Sequence, residues 1–230
     1  MEYQLIEAQS DAVFIEQAVT ILKQKILESI ADRGECILGL SGGSTPRPVY
    51  EALGKETDID WAKVKLFLAD DRCVPAENSE SNQKLVRDTL LKYAAIPARQ
   101  CYFPDTSLPI DACVIAYTEA LVHLFHEHAP DVLILGLGND GHIASLFPPI
   151  AEDAFGEALV LHTTTDVFAV HDRISVSPLV IMSARTHLLL LHGAEKRKVF
   201  EECVHTDLDP VRWPLHVPLA TGRTIVLHRV

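Results

Sequence analysis

Asp140-Gly141-His142 sets a carboxylate two residues from an imidazole on a glycine turn. Histidine titrates near neutral pH, and a carboxylate beside it fixes its tautomer and stabilises the imidazolium. Such a pair can take a proton from water as a general base. A histidine capping a short helix is the structural alternative. Asp70-Asp71-Arg72 puts two acids beside a guanidinium. The planar fork of Arg72 suits a carboxylate, a phosphate or a developing oxyanion, or simply a local ion pair. Ser41-Gly42-Gly43-Ser44-Thr45 has the parts of an anion cradle: glycines that bring N–H groups close, hydroxyl donors, and the start of a helix. It lacks the Gly-Lys-Ser/Thr of a Walker loop. Arg173 and Lys196 are further candidate phosphate ligands. Lys196 falls in the first turn of an expected helix, where its charge opposes the macrodipole.

Other patterns carry less. Gly136-Leu137-Gly138-Asn139-Asp140-Gly141 has the spacing of a dinucleotide fingerprint, but Pro148 and Pro149 arrive before the required crossover helix could form. His123, His126 and His128 lack the His-Glu-x-x-His pattern, so no metal centre is expected. No Gly-x-Ser-x-Gly elbow is present, which disfavours a serine hydrolase.

Elements that could position these residues follow from periodicity. Apolar residues at helical spacing predict a helix from Asp11 to about Ala31, capped by Ser10 or Asp11. Short apolar runs predict strands at 36–40, 64–69, 132–135, 159–162, 187–192 and 224–228. Helices are expected to begin near Pro46, over 81–93, over 110–128 and over 194–203. Strands alternating with helices imply an α/β fold with a mainly parallel sheet covered on both faces. Ligands bind beyond the carboxyl ends of such strands. The cradle, Asp70 to Arg72, and Gly136 to His142 all fall at such ends.

Composition bounds the rest. The 230 residues suffice for one large domain or two small ones, and no linker or repeat divides them. Hydrophobic residues make up 48%, so a full core is available. The net charge of -12 disfavours nucleic-acid binding, which needs a basic footprint. The five cysteines, with no Cys-x-x-Cys pair, fit a reducing compartment. No signal peptide and no membrane-length apolar run is read, so a cytoplasmic protein is expected.

Taken together, three segments resemble the 6-phosphogluconolactonase family. They are Leu40 to Pro46, Asp70-Asp71-Arg72-Cys73-Val74-Pro75 with Ser81-Asn82, and Gly138-Asn139-Asp140-Gly141-His142-Ile143-Ala144-Ser145-Leu146-Phe147-Pro148. Gly193-Ala194-Glu195-Lys196 is similar to the family's late Gly-x-x-Lys. The related glucosamine-6-phosphate deaminases share the cradle and the Asp-Gly-His. They follow it with Ile-Ala-Phe-Asn and carry Asp-Glu-Tyr where this chain has Asp-Asp-Arg. Asp71, Ser175 and the segment after Cys203 depart from the lactonase pattern.

The resemblance implies a three-layer αβα, Rossmann-like sheet of the ribose-5-phosphate isomerase/glucosamine-6-phosphate deaminase type, with residues 1–230 as a single domain. It implies hydrolysis of 6-phospho-D-glucono-1,5-lactone in the oxidative pentose phosphate pathway, without cofactor or metal. His142 is expected as general base, Asp140 as its orienter and Arg72 as oxyanion partner. Gly42, Gly43, Ser44, Thr45, Asp70, Asn82, Gly141, Arg173 and Lys196 are expected to bind substrate, with Ser44, Thr45, Arg173 and Lys196 on the phosphate. The expected partner is a small phosphorylated sugar lactone, acting on a monomer or small homo-oligomer. A glucosamine-6-phosphate deaminase-like enzyme and a non-catalytic sugar-phosphate sensor remain the alternatives.

Overall fold

The computed structural model describes residues 1–230. The chain opens with β1 (Tyr3–Ala8), which the sequence reading did not anticipate, because its polar and apolar residues are mixed at a sheet edge. The expected helix follows as α1 (Asp11–Arg33), with the Ser10 hydroxyl accepting the Val13 N–H and Gly34 closing the helix at φ 82°. Next come β2 (Cys36–Leu40), α2 (Pro46–Leu53), β3 (Val64–Leu68) and β4 (Asp70–Arg72). The helix expected over 81–93 is two, α3 (Asn82–Asp88) and α4 (Leu90–Tyr93). Thr89 breaks it, leaving helical geometry at φ -120° while its hydroxyl bonds back to the Leu85 carbonyl.

After β5 (Cys101–Tyr102), α5 (Ile110–Leu124) ends four residues short of the expected His128, so His126 and His128 lie beyond it. Then come β6 (Val132–Gly136), β7 (Val160–Thr164), β8 (Asp172–Val176), α6 (Pro178–Ser183) and β9 (Thr186–His192). The chain closes with α7 (Ala194–Val204), α8 (His216–Leu219) and β10 (Thr224–Arg229).

Seven strands form one parallel sheet in the order β1-β10-β9-β6-β2-β3-β5. Alternate residues of its strands face opposite ways, as strand geometry requires. Leu38, Leu40, Leu66, Ile134 and Leu188 pack with Phe14, Leu22 and Ile26 of α1 and with Val49 and Tyr50 of α2. Ile37, Phe67, Leu133, Leu135 and Leu189 pack on the other face with Tyr117 and Leu121 of α5 and Phe200 of α7. This is a three-layer αβα architecture. No helix is long and apolar enough to cross a membrane.

A second sheet runs β4-β8-β7, antiparallel throughout. Ala69 joins the two sheets. Its N–H donates to the Leu40 carbonyl at 2.7 Å, and its own carbonyl accepts the Val176 N–H at 2.8 Å. Asp70-Asp71-Arg72, expected only as the end of the preceding strand, is itself a short strand, because β8 supplies it with partners a hundred residues distant.

Two buried tyrosines brace the parallel strands where they end. The Tyr50 hydroxyl donates to the Ser41 carbonyl and accepts the Ser41 N–H. The Tyr117 hydroxyl treats Leu68 in the same way. The chain leaves β2 toward β3 and later returns to place β6 on the opposite side. The loops after β2 and β6 thus splay at a topological switch point, where open α/β sheets hold ligands.

Candidate active site

A cavity of about 670 Å³ opens at that switch point. Its wall contains Gly42, Gly43, Asp70, Arg72, Asn82, Asp140, His142, Arg173 and Lys196. Three segments far apart in sequence therefore meet in one place, joined by β8 and by the start of α7.

Residue types fix the local geometry. Asp140 Oδ1 lies 2.5 Å from His142 Nδ1, so Nε2 is the ring nitrogen left free. Gly138 lies against both side chains, and any Cβ there would collide with them. The dinucleotide alternative fails here, because the segment after Gly141 folds into a bridge between Ile143 and Leu146 rather than a helix. Burial pushes the Asp140 carboxyl up, but the hydrogen bond and charge of His142 outweigh it and hold it below the usual range.

Arg72 and Arg173 are direct cross-strand partners on β4 and β8. Like charges so placed repel. Burial first, then the Arg72 charge, hold Arg173 below its ordinary value. The Arg173 Nε donates to the Val170 carbonyl at 3.0 Å, and its guanidinium lies over Phe147 and Phe168 at 5.9 and 5.7 Å. Arg72 donates to the Glu80 carbonyl, while its buried Nε has no partner. Burial also lowers Lys196, with no carboxylate to offset it. Three cations line one cavity in a chain whose net charge is -12. That concentration is what an anionic ligand would neutralise.

Asp70 and Asn82 link the loops. Asn82 Nδ2 donates to the Asp70 carbonyl at 2.8 Å, and its side chain occupies the space a Cβ on Gly42 would need. Asp71 turns away from the cavity and caps α3, accepting from the N–H groups of Arg72, Asn82 and Gln83 and from the Ser81 hydroxyl.

Three expected site residues fall outside the cavity wall. Ser44 is exposed, and Thr45 begins α2 without a side-chain capping bond. Ser41, whose hydroxyl donates across to the Ile134 carbonyl of β6, lines the wall instead. Gly141 packs against the Trp213 ring. Phe147, Val167 and Phe168 also line the cavity and were not anticipated. An apolar Val167-Phe168 pair inside a polar stretch was the one available signal.

A family model described as glucosamine-6-phosphate isomerases/6-phosphogluconolactonase matches residues 9–226. The chain belongs to that family. A probable 6-phosphogluconolactonase of Dictyostelium discoideum is 36% identical over 220 residues, covering 94% of this chain and 93% of the relative. The 6-phosphogluconolactonase of Synechocystis is 31% identical over 221 residues, covering 94% and 90%. A solved 6-phosphogluconolactonase from Shewanella baltica superposes with a TM-score of 0.87 at 30% identity, covering 100% of this chain and 98% of that one. A monomeric glucosamine-6-phosphate deaminase reaches a TM-score of 0.83 at 18% identity, which places both in one fold.

Proposed function

We propose that this protein hydrolyses 6-phospho-D-glucono-1,5-lactone to 6-phospho-D-gluconate, a step of the oxidative pentose phosphate pathway. The observation that carries the reading is the Asp140–His142 pair in one cavity with Arg72, Arg173 and Lys196. Family membership supports the same reaction.

The lactone carbonyl is already electrophilic, so no covalent nucleophile is needed. His142 Nε2 takes a proton from water as that water attacks C1. Asp140 keeps Nδ1 protonated and steadies the imidazolium. Backbone N–H groups of the glycine loops and Arg72 stabilise the tetrahedral oxyanion. The C1–O5 bond then breaks, and the imidazolium returns its proton to the departing ring oxygen. Arg173 and Lys196 hold the phosphate, which fixes C1 near His142 and converts remote binding energy into orientation. Asp70 and Asn82 shape the sugar-facing wall. Residues 1–230 act as one domain in the cytoplasm, as a monomer or small homo-oligomer, on a small-molecule substrate rather than nucleic acid or membrane.

The test is the decay of freshly generated lactone with wild type and with His142→Ala, after subtraction of the spontaneous rate. Acceleration abolished in the variant is expected. Full activity in the variant would discard the base assignment. Ammonia release from glucosamine 6-phosphate would move the assignment to a deaminase. Phosphosugar binding without turnover of either substrate would make the protein a sensor.

A further inference from the structure

We infer that Ser145 is a positioning residue that sets the separation between His142 and the two arginines of the small sheet. The inference rests on the lactonase reading above. Ser145 is 1% exposed and lies three residues beyond His142. Each of its three polar groups is bonded to a different strand of that sheet. Its hydroxyl donates to Asp70 Oδ2 on β4 at 2.6 Å. Its backbone N–H donates to the Ser175 hydroxyl on β8 at 3.3 Å. Its carbonyl accepts from the Thr163 hydroxyl on β7 at 2.7 Å.

These are the only hydrogen bonds between residues 138–147 and the small sheet. β4 carries Arg72 and β8 carries Arg173. The loop bearing the base is therefore pinned to the strands bearing the guanidiniums through one side chain and its own peptide groups. Ala144, between His142 and Ser145, is held at φ 48°, a left-handed conformation that a non-glycine residue keeps only when its surroundings impose it. The tie reaches further, because Asp70 also accepts from Asn82, which nests against Gly42.

A residue with this role separates turnover from anion binding. Ser145→Ala is expected to lower kcat for the phosphorylated lactone about 10- to 100-fold, the effect of an ångström-scale misplacement, while the Kd for inorganic phosphate stays within about twofold. A second readout does not depend on turnover. In wild type, inorganic phosphate at Arg173 and Lys196 perturbs the His142 ring resonances in NMR, because the base and the anion site are held at one separation. In Ser145→Ala that perturbation shrinks although phosphate still binds. Thr163→Val cuts only the β7 tie and gives the same changes at smaller size, so it carries the test if Ser145→Ala does not fold. Wild-type kcat with an undiminished phosphate-induced perturbation of the His142 resonances overturns the assignment. So does parallel loss of turnover and phosphate binding. Should wild type not accelerate lactone decay, the lactonase reading fails separately, and the NMR comparison still decides the role of Ser145.

Discussion

Asp140 Oδ1 accepts the His142 backbone N–H at 3.3 Å and sits 2.5 Å from Nδ1 of the same residue. One carboxylate oxygen thus fixes both the peptide and the ring. The consequence is a defined tautomer with Nε2 available as a base. Asp140→Asn offers an amide N–H to Nδ1 and selects the tautomer whose Nε2 already carries a proton. The variant is expected to lose ~10²- to 10⁴-fold in kcat, the range of general-base catalysis. KM should change little. A pH series of kcat for wild type and variant checks it, and an unchanged kcat would show that Asp140 does not orient the ring.

Lys196 joins binding and stability with opposite signs. Burial holds its ammonium below the ordinary 10.5. Between its folded value and 10.5 the unfolded chain binds more protons, so stability rises with pH across that window. At neutral pH the buried charge is a cost that a bound phosphate offsets. Lys196→Met is therefore expected to raise the thermal midpoint of the ligand-free protein at pH 7. It should also raise KM for the phosphorylated lactone ~10- to 100-fold, the worth of one charge-assisted hydrogen bond. Parallel melting curves and steady-state kinetics decide the matter, and an unchanged KM removes Lys196 from the phosphate site.

Asp71 behaves differently from its neighbour in the cavity wall. Burial pushes its carboxyl from 3.8 up to about 6, against the pull of the N–H groups of Asn82, Arg72 and Gln83. A carboxyl whose folded value exceeds the unfolded one is protonated in the native state between the two. Stability then falls as pH rises from about 4 to about 6, by ~3 kcal/mol in all for this group. Asp71→Asn removes that slope, although the amide loses acceptor capacity at the start of α3. Denaturant unfolding of both proteins at intervals from pH 4 to 7 measures the difference. Identical slopes would show that the Asp71 carboxyl titrates alike in the folded and unfolded chain.

The five inner strands of the parallel sheet and the three loops at its carboxyl end were legible because they rest on local signals, whereas the edge strands β1 and β5 were not. Apolar runs at Cys36–Leu40, Val64–Leu68 and Val132–Gly136 each meet a glycine or an acid within two residues of their end. Of the small sheet only β7 was legible, as the apolar run over 159–162. Asp70–Arg72 is too short and polar to signal a strand, and its partner, Asp172–Val176, lies a hundred residues away. The cross-strand pairing of Arg72 with Arg173 follows from that hidden register, so the sequence could suggest two cations but not their adjacency. Composition likewise could not say which of five consecutive small residues would line the cavity. Ser41 does so because Tyr50 and Ile134 hold it at the strand end, while Ser44 already turns outward with α2.

Phe168 lies in the turn between β7 and β8, 42% exposed beside an even more exposed Val167. Its ring stands 5.5 Å from His142 and 5.9 Å from Phe147, and the Arg173 guanidinium lies 5.7 Å from its centroid. An apolar ring in this place gives the cavity one wall that can meet the C–H face of a sugar. It also gives Arg173 a second aromatic face. Because the residue is already exposed, removal of its ring should cost little stability. Phe168→Ala is expected to raise KM for the lactone threefold to tenfold and to weaken inorganic phosphate by a smaller factor, on the order of one cation–π contact. Phe168→Tyr keeps the ring and should stay close to wild type. Steady-state kinetics with phosphate as competitor separates the two contributions. If KM and phosphate binding weaken equally, the ring acts only through Arg173. If neither changes, Phe168 is not part of the binding wall.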